Sequence, residues 1–203
     1  TFRQKPIAAD VAFGLAEDFD RLDWLVVLDE PPRRYMTDVP RCRRIALLTG
    51  RAALLPSSER LAGYRRAHAE AGLAVDPDLI RPQSQGSSLA FSDVCQLLQG
   101  PNCPTAIITL GTHMLAGVME ALASHGLRYP DDMSLVCIGD TDLARHATPS
   151  ISALTWDLDE MGRVAAKTLL DRISEGHEAR DLRPVYLPTR FILRHSGARP
   201  RAP

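Results

Sequence analysis

Several patterns that mark common classes of enzyme and metal protein are missing from this chain of 203 residues. It has no G-x-S-x-G nucleophile elbow, no P-loop, no H-E-x-x-H helix and no glycine-rich dinucleotide fingerprint. No pair among its 6 histidines has metal-ligand spacing, and its 4 cysteines form no C-x-x-C motif. The sequence therefore predicts a protein that is not an enzyme and holds neither a metal nor a cofactor.

The chain also lacks a basic excess and a long apolar run. Its formal net charge is -1, and Lys5 and Lys167 are the only lysines. Without positive charge to neutralise phosphates, we expect no nucleic-acid surface on this segment. No apolar run is long enough to span a bilayer, and no signal peptide is visible. Buried free thiols at Cys95 and Cys137 are typical of a reducing compartment, so we expect a cytoplasmic protein without membrane contact.

The stretch from Pro104 to Asp140 has the pattern strand, helix, turn, strand. Thr105–Leu110 and Ser134–Ile138 are short apolar runs of the kind found in strands buried on both faces. Thr112 is the expected N-cap of the helix between them, and Gly126 is its expected end. A right-handed βαβ unit makes the strands parallel, so functional residues are expected at their carboxyl ends.

Strands and helices alternate elsewhere too, which predicts an α/β class protein with a doubly wound parallel sheet. We interpret Leu143–Trp156 as a connection that crosses to a second subdomain, where Asp157–Ile173 forms a helix capped by Asp157. Pro188 either restricts the strand Val185–Arg194 to an edge or breaks it. Further strands are predicted at Trp24–Leu28, Arg44–Thr49 and Asp76–Arg81, and further helices from Ser57 or Ser58 onward and at Leu89–Gln99.

Four motifs occur in a fixed order along most of the chain. They are RRIALLTG (Arg43–Gly50), RLAGYR (Arg60–Arg65), the stretch from Pro104 to Pro149, and EMGRVAAKTLLDRI (Glu160–Ile173). In order, spacing and placement at strand ends, they resemble the effector-binding core of the LacI/GalR family of bacterial transcription regulators. The resemblance implies a periplasmic-binding-protein-like fold of two subdomains, of which the N-terminal one is incomplete in this chain.

The resemblance also implies a division of the chain. Residues 1–155 correspond mainly to the C-terminal effector-binding subdomain, 156–183 to the return into the N-terminal subdomain, 184–195 to a crossing strand and 196–203 to a flexible tail. Residues 1–43 have two competing assignments, because the family has a strand like Trp24–Leu28 before a motif like Asp10-x-x-x-Gly14. The family places a DNA-binding head upstream, so we expect operator DNA to be bound through a head domain not present in this chain.

A small-molecule effector is expected in the cleft between the subdomains. The resemblance makes Arg60 a ligand contact, and its predicted place in a first helical turn, where a cation is slightly disfavoured, points the same way. Trp156 lies at the crossover, where an aromatic ring stacks on a ligand or packs the hinge. The plainer interpretations are a surface arginine and a hinge tryptophan.

The two predicted strand ends depart from the family pattern. Gly111-Thr112 stands where the family usually has Asn-Asp, and Gly139-Asp140 stands where it has Asp-Asp or Asp-Asn. The missing side chains typically bond sugar hydroxyls, so an ordinary sugar site is not expected. We expect Asp140 and Thr112 to make polar contacts with a ligand less polyhydroxylated than a hexose, either anionic or aromatic, or no ligand at all.

The predicted helix between Thr105–Leu110 and Ser134–Ile138 carries an apolar stripe, which has two interpretations. The matching helix and the segment 143–148 contact the partner subunit in the family, which implies a homodimer. The plainer interpretation is that the stripe covers the sheet. The interface candidates are Met114, Leu115, Val118, Met119, Leu122 and Leu143.

Two other classes of protein remain open alongside a sensor of a transcription regulator. A solute-binding protein of a transporter shares the architecture but needs an export signal. An enzyme on an α/β scaffold needs a nucleophile–base pair or a metal cluster, and the sequence contains no motif for either.

Overall fold

The structure is a computed structural model that describes residues 44–51, 53–82, 86–101, 103–174, 185 and 187–197. The predictions for residues 1–43, including the Trp24–Leu28 strand and the Asp10-x-x-x-Gly14 motif, lie outside these ranges. So do most of the predicted tail and the loop after the last helix.

A single six-stranded sheet organises the described residues. Its strands are β1 (Ile45–Thr49), β2 (Ile80–Pro82), β3 (Ala106–Leu110), β4 (Ser134–Ile138), β5 (Ser152–Trp156) and β6 (Thr189–Ile192). The helices are α1 (Leu55–Glu70), α2 (Ser87–Gln99), α3 (Gly111–Ser124), α4 (Asp142–His146) and α5 (Leu158–Ser174). The strand order is β2-β1-β3-β4-β5-β6, and only β6 is antiparallel to its neighbour. The predicted parallel α/β sheet is confirmed.

Successive side chains of a strand point to opposite faces of the sheet, so apolar residues of these strands lie on both faces. Helices cover both faces. Helices α2, α3 and α4 pack on one face against residues such as Leu48, Ile107 and Leu135. Helix α1 packs on the other face, where Tyr64 is buried and donates a hydrogen bond to the Ile45 carbonyl over 2.7 Å. The second face carries the candidate site described below.

The βαβ unit predicted from Pro104 to Asp140 is present as β3, α3 and β4. Gly126 follows the helix with a φ of 67°, as expected for a residue that ends it. The predicted N-cap is wrong, because α3 begins at Gly111 and no side chain caps it. Gly111 has a φ of 63°, a left-handed conformation that glycine adopts without steric cost.

The second half of the predicted connection Leu143–Trp156 is wrong. Ser152–Trp156 is strand β5, which pairs in parallel with β4, and a short helix precedes it. Its composition resembles a loop because the strand is short and two of its five residues are hydroxylated, Ser152 and Thr155. The sheet therefore extends one strand further than the sequence pattern indicated.

The chain end also differs from the prediction of a flexible tail that starts at residue 196. Ser196 is buried, its hydroxyl donates to the Leu135 carbonyl, and the Ser152 amide donates to that hydroxyl. Pairing with two strands fixes Ser196 against the sheet, which a polar sequence pattern does not reveal. The predicted edge strand is confirmed, since β6 begins directly after Pro188 and lies at the sheet edge.

Helix α5 follows β5 and differs from the others in its exposure. The Asp157 carboxylate accepts a hydrogen bond from the Glu160 amide over 2.9 Å, so the predicted cap is confirmed. Leu158, Leu170 and Ile173 are exposed, and no side chain described on this helix is buried. Its assignment to a second subdomain stays a prediction. Within the described ranges, no helix is both long enough and apolar enough to cross a bilayer.

Candidate functional site

Arg60 is a buried cation on the face of α1 that packs against the sheet. The helix begins at Leu55, before the predicted start, so Arg60 lies in its second turn and the first-turn argument does not apply. It lies one turn from the buried Tyr64, towards the carboxyl edge of the sheet, and is only 8% exposed. Burial lowers the pKa of its guanidinium. Its Nε has no hydrogen-bond partner, and no described carboxylate forms an ion pair with it.

Thr49 is a second unpartnered polar group at the same edge. It ends β1 and is buried, and its hydroxyl has no hydrogen-bond partner among the described residues. It points to the α1 face, because Ile45 and Leu47 of the same strand do so. Thr49 was not among the predicted site residues, although its position as the last strand residue before Gly50 was a usable signal.

Trp156 ends β5 at this edge, and its ring packs into the cluster on the α1 face. Its indole Nε1 is buried without a hydrogen-bond partner in the described structure. The ring lies close to Gly139, since a Cβ placed on that glycine would be 3.9 Å from the Trp156 Cη2. The structure therefore brings together two of the predicted site residues.

Gly111 and Gly139 follow neighbouring strands whose last residues, Leu110 and Ile138, are paired. Both glycines have positive φ, at 63° and 106°, so larger residues would be strained at these positions. A Cβ on Gly111 would meet no atom within 4 Å. Open space therefore adjoins the strand end where the family usually carries a longer polar side chain.

Asp140 forms ion pairs with two arginines, and its predicted contact with a ligand stays a prediction. Arg194 approaches one carboxylate oxygen to 2.7 Å, and both side chains are 14% exposed. Arg145 lies 3.5 Å from the other oxygen and donates to the Asp140 carbonyl. Arg194 also donates to the Ile151 carbonyl, which anchors the pair to the sheet. Arg194 was not predicted, because it is distant in sequence and carries no motif of its own.

The remaining predicted site residue and the interface candidates lie elsewhere. Thr112 is exposed on the first turn of α3. Four of the six candidates for the dimer interface are buried in the chain's own core, so they favour the plainer interpretation of the stripe. Met119 and Leu143 are only partly buried. The buried candidates are Met114, Leu115, Val118 and Leu122.

This arrangement is suited to binding rather than to chemistry. Arginine Nε and indole Nε1 are hydrogen-bond donors only, and a threonine hydroxyl donates or accepts. Each lies at the carboxyl edge of one face of a parallel sheet, where such sheets bind ligands. Within the described ranges, no group of three or more His, Cys, Asp or Glu side chains is placed to hold a metal ion.

Comparison with known proteins gives a consistent result. A sequence profile described as "Periplasmic binding protein-like domain" matches residues 40–197. The ribose operon repressor of Haemophilus influenzae is 30% identical over 154 residues, which are 76% of this chain and 46% of the repressor. This chain thus spans less than half the length of that relative.

Two solved structures show the same fold. A LacI-type putative transcriptional regulator from Bacillus cereus subsp. cytotoxis superposes with a TM-score of 0.74 at 22% identity, over 92% of this chain and 60% of that one. The regulator CelR in complex with cellobiose gives 0.72 at 27% identity, over 93% of this chain and 52% of that one.

Proposed function

Because this chain belongs to the periplasmic binding protein-like domain family and is similar to the ribose operon repressor, we propose that it is the ligand-sensing part of a LacI-type transcriptional regulator. The effector is a small organic molecule bound at the carboxyl edge of the sheet, on the α1 face. The observation that carries this proposal is the buried Arg60 at that edge, whose Nε has no hydrogen-bond partner and which forms no ion pair with a described carboxylate. CelR, a relative of the same fold, is known in complex with cellobiose, which supports a ligand site in this architecture.

The regulatory step is a shift between two arrangements of the protein. A ligand changes this equilibrium only by as much as its affinity differs between the two arrangements. A ligand that contacts both Arg60 and Trp156 stabilises the arrangement in which both residues face it. In the full regulator, that shift alters the affinity of a DNA-binding region for operator DNA, and the active species is a cytoplasmic homodimer.

The proposal is tested by a thermal-shift screen of the chain with sugars, nucleosides and small organic acids. A ligand that binds only the folded state raises Tm in proportion to ln(1 + [L]/Kd). We expect at least one class to raise Tm, and we expect Arg60→Ala to abolish that rise. Arg65→Ala is the matched control, because Arg65 is an exposed arginine on the same helix. A rise that survives in Arg60→Ala would place the ligand elsewhere.

Operator binding is tested on the full-length protein by a gel-shift assay with DNA upstream of its own gene. We expect the ligand identified in the screen to change the DNA affinity. A ligand that binds the chain but leaves the DNA affinity of the full-length protein unchanged would argue against a regulator and for a transport-related binding protein.

A further inference from the structure

We propose that the effector is an anion, with an acid group against Arg60 and Thr49 and a ring or other apolar portion against Trp156. This inference rests on the proposed function and narrows the ligand to one chemical class. Carboxylates and phosphates share the chemistry that the site would recognise, namely a negative charge on several acceptor oxygens.

The first argument is the charge balance at the sheet edge. Asp140 is the acidic side chain that closely follows β4, and Arg194 and Arg145 already neutralise it. Arg60 has no such partner among the described residues, although it is 8% exposed. A buried cation without a counter-ion is costly, and an anionic ligand would supply the missing charge.

The second argument is the chemical character of the unpartnered hydrogen-bonding groups. The Nε of Arg60 is a donor that lacks an acceptor among the described residues, and the Thr49 hydroxyl at the same end of the site lacks a partner there and is able to donate. A sugar hydroxyl needs both donors and acceptors around it, whereas an acid group needs donors alone. Gly111 and Gly139 supply no acceptor side chain, and the carboxylate of Asp140, which follows Gly139, is engaged in ion pairs with Arg194 and Arg145.

The third argument is the shape of the site. Thr49 and Trp156 end strands that are separated by β3 and β4, which places them about 14 Å apart at the usual strand spacing. A ligand that reaches from the Arg60 end to the indole therefore has two chemically different ends. Gly111 follows β3, between these two strand ends, and a Cβ placed on it would meet no atom within 4 Å.

Unpartnered polarity alone does not define the site, since Thr109 also has a buried hydroxyl without a partner. Thr109 alternates with Ile108 and so points to the opposite face, beneath the helices that cover it. Its environment is apolar and holds no unpaired cation among the described residues. The α1 face is distinguished by the combination of charge, donors and space.

The test uses matched pairs of neutral and anionic probes on the 203-residue chain at constant ionic strength. The pairs are glucose with glucose 6-phosphate, ribose with ribose 5-phosphate, and benzyl alcohol with benzoate. Each probe is used at about 10 mM, which is tenfold above a weak dissociation constant of about 1 mM. We expect at least one anion to raise Tm more than its neutral partner does.

Three variants locate the effect. Arg60→Met should abolish the difference between an anion and its neutral partner, and Arg65→Met should retain it. Arg60→Lys keeps the charge but loses the planar fork of donors, so it should retain a reduced difference. Circular dichroism checks the fold. If Arg60→Met does not fold, the Tm difference between an anion and its neutral partner is compared in Arg60→Lys and the wild type.

The outcomes separate this inference from the proposed function. One outcome is a neutral probe that raises Tm as much as its anionic partner does and loses that effect in Trp156→Leu. This result would contradict an anionic effector but would be consistent with the proposed ligand-sensing function. An anion effect that persists equally in Arg60→Met overturns the assigned site. No rise with any probe in the panel counts against both proposals.

Discussion

Arg60 is the residue at which the proposed binding role and the stability of the fold make opposite demands. An isolated charge taken out of water is disfavoured, and burial lowers the pKa of this guanidinium accordingly. Its position on the inner face of α1 was not predicted from the sequence, where the motif and an expected place in the first helical turn singled it out. The tertiary structure adds the physical reason to expect a ligand, since it shows the charge buried and without a counter-ion among the described residues.

The first stability prediction concerns Arg60 in the absence of ligand. Replacing it with methionine removes the unpaired charge and keeps most of the volume, so Arg60→Met should raise the free energy of unfolding by about 1 kcal/mol. Arg65→Met, at an exposed position on the same helix, should change it by no more than about 0.5 kcal/mol. Urea denaturation of both variants measures this. A clear loss of stability in Arg60→Met would mean that the guanidinium makes stabilising contacts of its own.

The state of Cys137 was predicted correctly from the sequence. Its place in an apolar strand predicted a buried free thiol, and the structure buries it on the α3 side of the sheet. Burial raises the pKa of this thiol to about 12, so it stays protonated at neutral pH. Cys95 is a free thiol as well, but its side chain is only partly buried.

At the scale of elements, the contact between α2 and α3 depends on a glycine. A Cβ on Gly117 would lie 2.1 Å from the Ser87 carbonyl oxygen and 3.0 Å from the Phe91 amide nitrogen. These are backbone atoms, which cannot move aside as a flexible side chain can. The two helices therefore approach each other more closely than any other residue at position 117 would allow.

We predict that Gly117→Ala destabilises the protein by about 3 kcal/mol, because the helices must separate. Gly162→Ala is the matched control. Gly162 lies inside α5, and a Cβ added there would have no atom within 4 Å, so alanine should stabilise by up to about 1 kcal/mol through helix propensity. Thermal unfolding of the two variants gives opposite shifts in Tm if the close approach is real. Equal shifts would contradict it.

At the scale of the whole molecule, the apolar stripe of α3 covers the sheet rather than forming a surface. Leu115 is completely buried, so Leu115→Glu would unfold the chain instead of separating subunits. Of the candidates for a dimer interface, Met119 and Leu143 alone retain partial exposure. They lie on α3 and α4, the elements that the family resemblance assigned to the partner contact.

We predict that the chain is a dimer at micromolar concentration and that Met119→Glu makes it a monomer that keeps its circular dichroism spectrum. A two-fold interface uses the same patch on both subunits. The substitution therefore places one added carboxylate on each side of the interface. Leu89→Glu is the control, since Leu89 is 53% exposed on α2. Sedimentation velocity distinguishes the states. A wild-type monomer under these conditions would rule out the proposed assembly.

The sequence alone determined the alternation of strands and helices, the parallel βαβ unit and the strand ends at which a ligand is expected. These follow from local patterns, because β-branched runs, helical spacing and glycine ends depend on residues close together in the chain. Short elements such as β5 were missed, since five residues with two hydroxyls carry too little pattern to outweigh a loop.

Only the tertiary structure decided which polar groups have partners. Asp140 was expected to face a ligand, but Arg194, far along the chain beyond β6, pairs with it. The tertiary structure also decided the positions of Thr49 and Trp156. Strand pairing sets the register of each strand and the face to which each side chain points. Whether a side chain is satisfied depends on neighbours that folding brings together, and no local pattern in the sequence encodes those neighbours.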